Sequence, residues 1–239
     1  MVMDKGIGLR QAMDLVESAG HLIDFIKLGF GTSYVSAGVA EKVRLYQQHG
    51  IRVFAGGTLF EAFLIRGRVE DYFRYIDTLG LDAVEISDGS MRIPHDEKCA
   101  FIRRMASGRT VLSEVGAKDA GVVMDHGTWI SQMQCELEAG STYVIGEARE
   151  SGTVGIYGDS GQADTSLIDN ILAAVPGDRV LWEAPLKSQQ VWFLHHLGPF
   201  VNLGNIAPAD AVPLETLRLG LRGDTFFNVL PENLQHLKL

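Results

Sequence analysis

Short apolar runs recur along the whole chain, and most of them end in polar or glycine-rich residues. Each run has the length and the Val, Ile and Phe content of a buried β-strand. Successive runs begin roughly 20 to 37 residues apart, which leaves room for one loop and one helix between them. The eight predicted strands are Val2–Asp4, Phe25–Leu28, Arg52–Ala55, Ala83–Ile86, Thr110–Glu114, Tyr143–Glu147, Val180–Glu183 and Phe200–Leu203.

Segments with helical periodicity lie between these runs, for example Val39–Gln48, Glu70–Leu79 and Thr128–Ala139. Eight strand–helix units predict an α/β fold of the (β/α)8 type, a TIM barrel. An open doubly wound sheet is the alternative, but no G-x-G-x-x-G fingerprint follows the first run. No linker or charge block interrupts the chain, so we expect a single barrel domain over residues 1–239.

Composition narrows the possible partners. The formal charge of −9 argues against nucleic acid, because a phosphate backbone requires a basic surface. No apolar stretch is long enough for a membrane span, and no signal peptide is apparent, so we expect a cytoplasmic protein. Cys99 and Cys135 fall in predicted helices and are expected to be buried free thiols. Apolar residues in the tail Phe226–Leu239 could support a homo-oligomer or cap the barrel.

Charged residues concentrate at one end of the predicted strands, where barrel enzymes carry their active sites. A carboxylate that ends a buried strand is costly unless it is paired or bound to metal. One interpretation is a structural ion network with Lys27 and Arg149. The other is an oxygen-rich site for Mg²⁺, which prefers carboxylates and water. The candidate metal ligands are Glu85, Asp88, Glu114, Glu147 and Glu183.

Glycine-rich turns with Thr or Ser follow several strands and suit phosphate binding, because exposed backbone N–H groups can approach the oxygens. Polar side chains also follow the later strands, and Arg218 lies where many barrels bind phosphate, although it could pair with Glu215 instead. The candidate binding residues are Gly31, Thr32, Ser33, Gly57, Thr58, Ser87, Ser90, Ser151, Gln189, Asn202, Asn205 and Arg218. Two long loops are predicted, Ala117–Gly127 and Ser151–Asp164, and the second could be a mobile lid or an ordinary surface loop.

Eight strings of residues resemble the phosphosulfolactate synthase family in their order and spacing, and they cover nearly the whole chain. They are KLGFGTS (27–33), GGTLFE (56–61), EISDGS (85–90), SEVGAK (113–118), EARESG (147–152), WEAPLKSQQ (182–190), VNLGNIA (201–207) and LETLRLGLRGDT (214–225).

The resemblance implies a (β/α)8 barrel and a carbon–sulfur lyase that adds sulfite to C3 of phosphoenolpyruvate with Mg²⁺. Its product would be (2R)-2-O-phospho-3-sulfolactate, an intermediate of coenzyme M biosynthesis. It also implies catalytic roles for strand-end cations. Lys27, Lys118 and Lys187 are candidate proton donors to C2, and Arg149 is a candidate anchor for phosphate or sulfite.

The sequence departs from the family pattern in the loops after the fifth and sixth strands. Ala117 stands where the family has a lysine, and Thr153, Val154 and Gly155 replace a lysine-rich stretch. Two alternatives therefore stay open. The same barrel could act on phosphoenolpyruvate or a related phosphorylated acid with a different nucleophile, or the chain could be a non-catalytic stress or binding homologue.

Overall fold

The computed structural model describes residues 1–117, 124–149, 151–158 and 160–237. Eight parallel strands alternate with helices along these residues. The strands are β1 Val2–Asp4, β2 Phe25–Leu28, β3 Arg52–Ala55, β4 Ala83–Ile86, β5 Thr110–Val115, β6 Tyr143–Gly146, β7 Val180–Glu183 and β8 Leu203–Gly204. The helices are α1 Leu9–Ala19, α2 Thr32–Val35, α3 Val39–Gln48, α4 Gly57–Leu64, α5 Val69–Leu79, α6 His95–Ala106, α7 His126–Ala139, α8 Thr165–Ala174, α9 Lys187–Leu197 and α10 Ala211–Arg218.

The strands form two parallel ladders, β1-β2-β3 and β4-β5-β6-β7-β8, which meet along two seams. At one seam, the Met3 N–H donates to the Ile206 carbonyl at 2.8 Å, just beyond β8. At the other, the Val53 N–H of β3 donates to the Asp82 carboxylate before β4 at 2.8 Å. Hydrogen bonds therefore join the two ladders at both seams, and the predicted (β/α)8 barrel fold is confirmed.

Side chains fill the barrel interior in layers. The lower layer is apolar, and it consists of Phe25, Phe54, Ala83, Leu112, Ile145 and Leu181. A larger apolar core lies between the outer faces of the strands and the helices. Because alternate residues of a strand point to opposite faces, the inward positions of the next layer lie two residues further along each strand. That layer is where the charged residues are found.

The predicted strand boundaries hold for most of the ring but fail at the eighth strand. The sequence predicted Phe200–Leu203, whereas β8 comprises Leu203–Gly204 and Phe200 is 94% exposed. The apolar run is therefore partly a loop, and its first residues approach the barrel from below. At β6 the difference is smaller, since Glu147 follows the strand and its carbonyl accepts from the Ile156 N–H at 3.0 Å.

The thiol prediction is correct for one cysteine only. Both cysteines are free, but Cys99 is buried whereas Cys135 lies exposed on α7. Among the described residues, no helix combines the length and apolarity needed to cross a bilayer.

The loop after β6 is folded tightly against the strand ends wherever it is described. The Tyr157 hydroxyl donates to the Glu183 carbonyl at 2.7 Å, and the Gln189 amide donates to the Gly152 carbonyl at 2.8 Å. Gly155 has φ +70°, and a Cβ there would lie 2.0 Å from the Glu147 carbonyl oxygen. These contacts are those of an anchored loop that supports the ends of β6 and β7.

We expect Gly155→Ala to lower the free energy of unfolding by about 2 kcal/mol or more, because the new Cβ adds a backbone clash to a left-handed conformation. Gly158→Ala in the same loop is the matched control, since its nearest non-neighbouring atom is 4.0 Å away. Urea denaturation of both variants measures the difference. Equal stability of the two variants would contradict the described position of this loop.

Candidate active site

Charged side chains occupy the second inward layer of the barrel, two residues after the apolar layer on most strands. Lys27 follows Phe25 on β2, and a glutamate follows the apolar residue in the same way at β4, β5, β6 and β7. The glutamates are Glu85, Glu114, Glu147 and Glu183, each at most 1% exposed. The pleat of parallel strands thus brings together residues that are far apart in sequence.

Lys27 is the centre of this layer. Its Nζ lies 3.0 Å from Glu85 Oε2, 3.3 Å from Glu114 Oε2 and 3.0 Å from Glu183 Oε1. Burial alone would lower the pKa of the Lys27 ammonium, but the surrounding carboxylates outweigh burial and raise it well above its usual value. The surrounding carboxylates therefore stabilise the protonated form of Lys27.

The carboxylates exceed the cation in number. Four glutamates and one lysine of this layer lie in a region almost closed to solvent. Burial raises the pKa of the Glu183 carboxyl, Lys27 opposes that shift, and Glu114 adds to it. The Ala148 N–H donates to Glu183 Oε2 at 2.9 Å and stabilises the charged form.

Three of the glutamates fit a divalent cation. Glu114, Glu147 and Glu183 each present a carboxylate oxygen, and these oxygens lie within 4.8 Å of one another. Asn205 lies beside them, 5% exposed, and its Oδ1 has no hydrogen-bond partner among the described residues. Hard cations such as Mg²⁺ take oxygen ligands of these kinds, so the donor set and the negative charge both fit.

Glu85 has a different position from these three. One of its oxygens contacts Lys27, and the other accepts the Gly57 N–H at 2.6 Å. A Cβ on Gly57 would lie 2.1 Å from the Ser87 hydroxyl oxygen and 2.6 Å from Glu85 Oε1. Glycine at this position therefore lets the start of α4 approach the end of β4, which fixes Glu85.

The carboxylates open into a cavity of about 320 Å³, which we call the carboxylate cavity. Thr58, Ser90, Asn205 and Arg149 line it together with Lys27 and the three glutamates that suit a metal. Asn205 has φ 55°, and Phe30, which also lines the cavity, has φ 54°. Strained non-glycine residues of this kind cluster at functional sites.

A second buried ion network supports the site from behind, and the sequence did not reveal it. Lys98 Nζ of α6 lies 2.8 Å from Asp88 Oδ1 and 2.8 Å from Glu136 Oε1 of α7, and it donates to the Glu114 carbonyl at 2.6 Å. The pKa of Asp88 is raised by burial against the opposing charge of Lys98. Asp88, expected as a metal ligand, is thus paired with a lysine away from the three glutamates.

Several expected binding residues hold the scaffold instead of lining the carboxylate cavity. Ser87 donates to Glu61, which also accepts the Ser90 N–H at 3.1 Å. Gln189 bonds to the loop after β6, and the Ser151 hydroxyl lies 2.8 Å from that of Thr153. Three more of the expected residues lie at the start of α2. Gly31 precedes the helix with φ +68°, Thr32 is its first residue, and Ser33 is buried.

Three other expected site residues lie elsewhere. Asn202 precedes β8 and bonds to the Asp178 and Val180 carbonyls, and Arg218 donates to the Pro199 and Val201 carbonyls, so both lie at the lower end of the barrel. The sequence predicted both residues at the end of the barrel that carries the active site. Because β8 begins only at Leu203, they lie at the opposite end. Lys187 is about half exposed and pairs with Asp224 at 2.7 Å. Lys118 lies outside the described residues.

Comparisons with known proteins identify the family of this chain. The chain matches the family described as (2R)-phospho-3-sulfolactate synthase (ComA) over residues 1–224. It is 42% identical to the phosphosulfolactate synthase of Methanothermobacter thermautotrophicus, covering 96% of this chain and 91% of that protein. It is 40% identical to that of Bacillus subtilis, covering 95% and 91%.

A solved structure supports the fold alone. The 3-hexulose-6-phosphate synthase of Salmonella typhimurium superposes with a TM-score of 0.55 at 16% identity, covering 92% of this chain and 98% of that one. The resemblance seen in the sequence motifs is confirmed by the two curated relatives and the family match. This chain belongs to the phosphosulfolactate synthase family.

Proposed function

We propose that the chain joins sulfite to phosphoenolpyruvate with the help of Mg²⁺, giving (2R)-2-O-phospho-3-sulfolactate. The observation that carries this proposal is the convergence of Glu114, Glu147 and Glu183 on one cavity that Lys27 and Arg149 also line. Family membership supports the product, since the curated relatives are phosphosulfolactate synthases. A buried charge layer of this kind costs stability, which favours an active site over a purely structural network.

The reaction can be written as a balanced addition. The sulfur lone pair of sulfite forms a bond to C3 of phosphoenolpyruvate, and the C2–C3 π electrons move onto C2 and the substrate carboxylate. C2 then accepts a proton, so the overall change adds the elements of bisulfite across the double bond. Catalysis requires positive charge where negative charge develops, more strongly in the transition state than in the substrate.

The side chains around the carboxylate cavity have different proposed roles in this reaction. Glu114, Glu147 and Glu183 would hold Mg²⁺, and a bound divalent cation supplies the positive charge that stabilises the developing anion on the substrate carboxylate. Lys27 holds two of these glutamates in place by direct ion pairs. Arg149 extends from the rim, where its backbone is fixed by a turn in which the Gly152 N–H donates to the Arg149 carbonyl at 2.7 Å.

The proton donor to C2 is proposed from the lysines that the sequence singled out. Lys27 lines the carboxylate cavity, whereas Lys187 is not one of its lining residues and is paired with Asp224, which favours Lys27 over Lys187. The pKa of Lys27 is raised by the carboxylates. A divalent cation among those carboxylates would offset their charge and bring that pKa down, which makes the proton easier to release. Lys118 stays a candidate from the sequence.

The purified protein with phosphoenolpyruvate, sulfite and Mg²⁺ should form the sulfonated adduct, detected by mass spectrometry. Consumption of phosphoenolpyruvate with another anion but not with sulfite would favour the alternative nucleophile. Thermal stabilisation by phosphoenolpyruvate without turnover would favour a binding protein.

Glu147→Gln should lower kcat/KM by a factor on the order of 100 or more, because the isosteric amide removes a metal-binding charge while Lys27 keeps its three ion pairs. Glu138→Gln, an exposed position on α7, is the matched control and should leave kcat/KM unchanged. Steady-state kinetics at saturating Mg²⁺ measure both. Full activity of the Glu147 variant would remove this residue from the metal site.

Mg²⁺ should raise the Tm more at about pH 8 than at about pH 5, because the cation competes with protons for the carboxylates. Burial raises the pKa of Glu183, so the folded chain binds this proton more tightly than the unfolded chain does. Without metal, stability attributable to Glu183 therefore declines as pH rises from the ordinary carboxyl range through the raised pKa. An Mg²⁺ effect of equal size at both pH values would contradict a carboxylate site.

A further inference from the structure

Lys98 occupies an apolar position of α6. The buried residues of this helix include Lys98, Ile102 and Met105, which follow one another at spacings of four and three residues and so share one face. An apolar side chain is expected at the first of these positions. Lys98 is instead 0% exposed, and burial of an ammonium group is costly unless the group is fully paired. A lysine at this position therefore needs an explanation other than core packing.

The Lys98 ammonium joins three segments of the chain around the end of β5. Its Nζ lies 2.8 Å from Asp88 Oδ1 in the loop after β4 and 2.8 Å from Glu136 Oε1 on α7, and it donates to the Glu114 carbonyl at 2.6 Å. Burial would lower the pKa of this ammonium, but Glu136 and Asp88 outweigh burial and raise it. The two carboxylates thus hold a cation against one backbone carbonyl of β5.

That carbonyl lies where the ladder between β4 and β5 ends. On the other side of β5, the Val115 carbonyl accepts the Glu147 N–H at 3.0 Å. Because successive carbonyls of a strand point in opposite directions, the Glu114 carbonyl points towards β4. The last residue of β4 is Ile86, so the backbone ladder has ended at this point. Lys98 supplies a hydrogen-bond donor there from α6.

We infer that Lys98 is a positioning residue for the metal site: by holding the Glu114 backbone, it sets where the Glu114 carboxylate lies; this inference rests on the metal site of the proposed function. Oxygens of Glu114, Glu147 and Glu183 lie within 4.8 Å of one another, and a shift of one strand end would separate them. Lys98 does not line the carboxylate cavity, so it acts through Glu114. Partners that orient a metal ligand typically change metal affinity about 10- to 100-fold.

Lys42 provides a matched control, because it is another buried lysine with partners of the same kinds. It is 5% exposed, lies 2.7 Å from Asp4 Oδ2 and donates to the Ile7 carbonyl at 2.9 Å. It joins α3 to the end of β1, a strand that carries none of the three glutamates. Loss of either lysine removes a cation from a buried carboxylate and should destabilise the fold. Only the loss of Lys98 should also weaken the metal site.

Lys98→Met should raise the Kd for Mn²⁺ about tenfold or more, whereas Lys42→Met should change it less than about twofold. Titration with Mn²⁺ alone, followed by electron paramagnetic resonance, measures this affinity without substrate or turnover. In steady-state kinetics, Lys98→Met should raise the Mg²⁺ concentration for half-maximal rate by a similar factor and change kcat at saturating Mg²⁺ much less. Circular dichroism checks that both variants are folded, and thermal denaturation compares their stability.

Lys98→Arg should give an intermediate Kd, because it keeps the positive charge but changes the position of the donor. If Lys98→Met does not fold, the arginine variant carries the test, and wild-type Mn²⁺ affinity in it would then contradict the inference. Equal Mn²⁺ affinity of Lys98→Met and Lys42→Met would overturn it. Absence of Mn²⁺ binding by the wild type would overturn both the inference and the metal site. If Lys98→Met weakens Mn²⁺ binding but the wild type forms no adduct, the inference stands and the proposed function fails.

Discussion

A single buried ammonium, that of Lys27, holds together carboxylates from three other strands of the barrel, and the account of this protein depends on that interaction. Its ion pairs with Glu85, Glu114 and Glu183 are between 3.0 and 3.3 Å long. In a region closed to water, such ion pairs offset the free-energy cost of removing the charged groups from solvent. Glu147 adds a fourth buried carboxylate to the same layer. The close approach of carboxylate oxygens from Glu114, Glu147 and Glu183 is what makes the cluster a candidate cation site.

The fold places this cluster by simple geometry. Parallel strands with inward side chains at every second position put one apolar layer below one charged layer, and the same two-residue step separates Leu112 from Glu114 and Leu181 from Glu183. The loop after β6 and the Lys98 network then fix the strand ends from outside. Tyr157 bonds to the Glu183 carbonyl, and Lys98 bonds to the Glu114 carbonyl. The backbones of Glu114 and Glu183 are thus held by buried side chains.

The sequence predicted the barrel and its strand-end carboxylates because both are local signals: an apolar run of fixed length and a charged residue where that run ends. It could not show which carboxylates meet. Asp88 looked equivalent to the glutamates, yet its partner is Lys98, a charged residue on an otherwise buried helical face. Asn202 and Arg218 were misplaced because the last apolar run includes residues that precede β8.

The most direct test of the central claim is to locate a bound cation. Crystals soaked with Mn²⁺, which replaces Mg²⁺ at oxygen-ligand sites, give an anomalous signal that identifies the ion without reference to activity. The account predicts one peak bounded by carboxylate oxygens of Glu114, Glu147 and Glu183, within about 2.3 Å of its ligands. A map with no peak at these glutamates, or with the ion bound elsewhere, would contradict it.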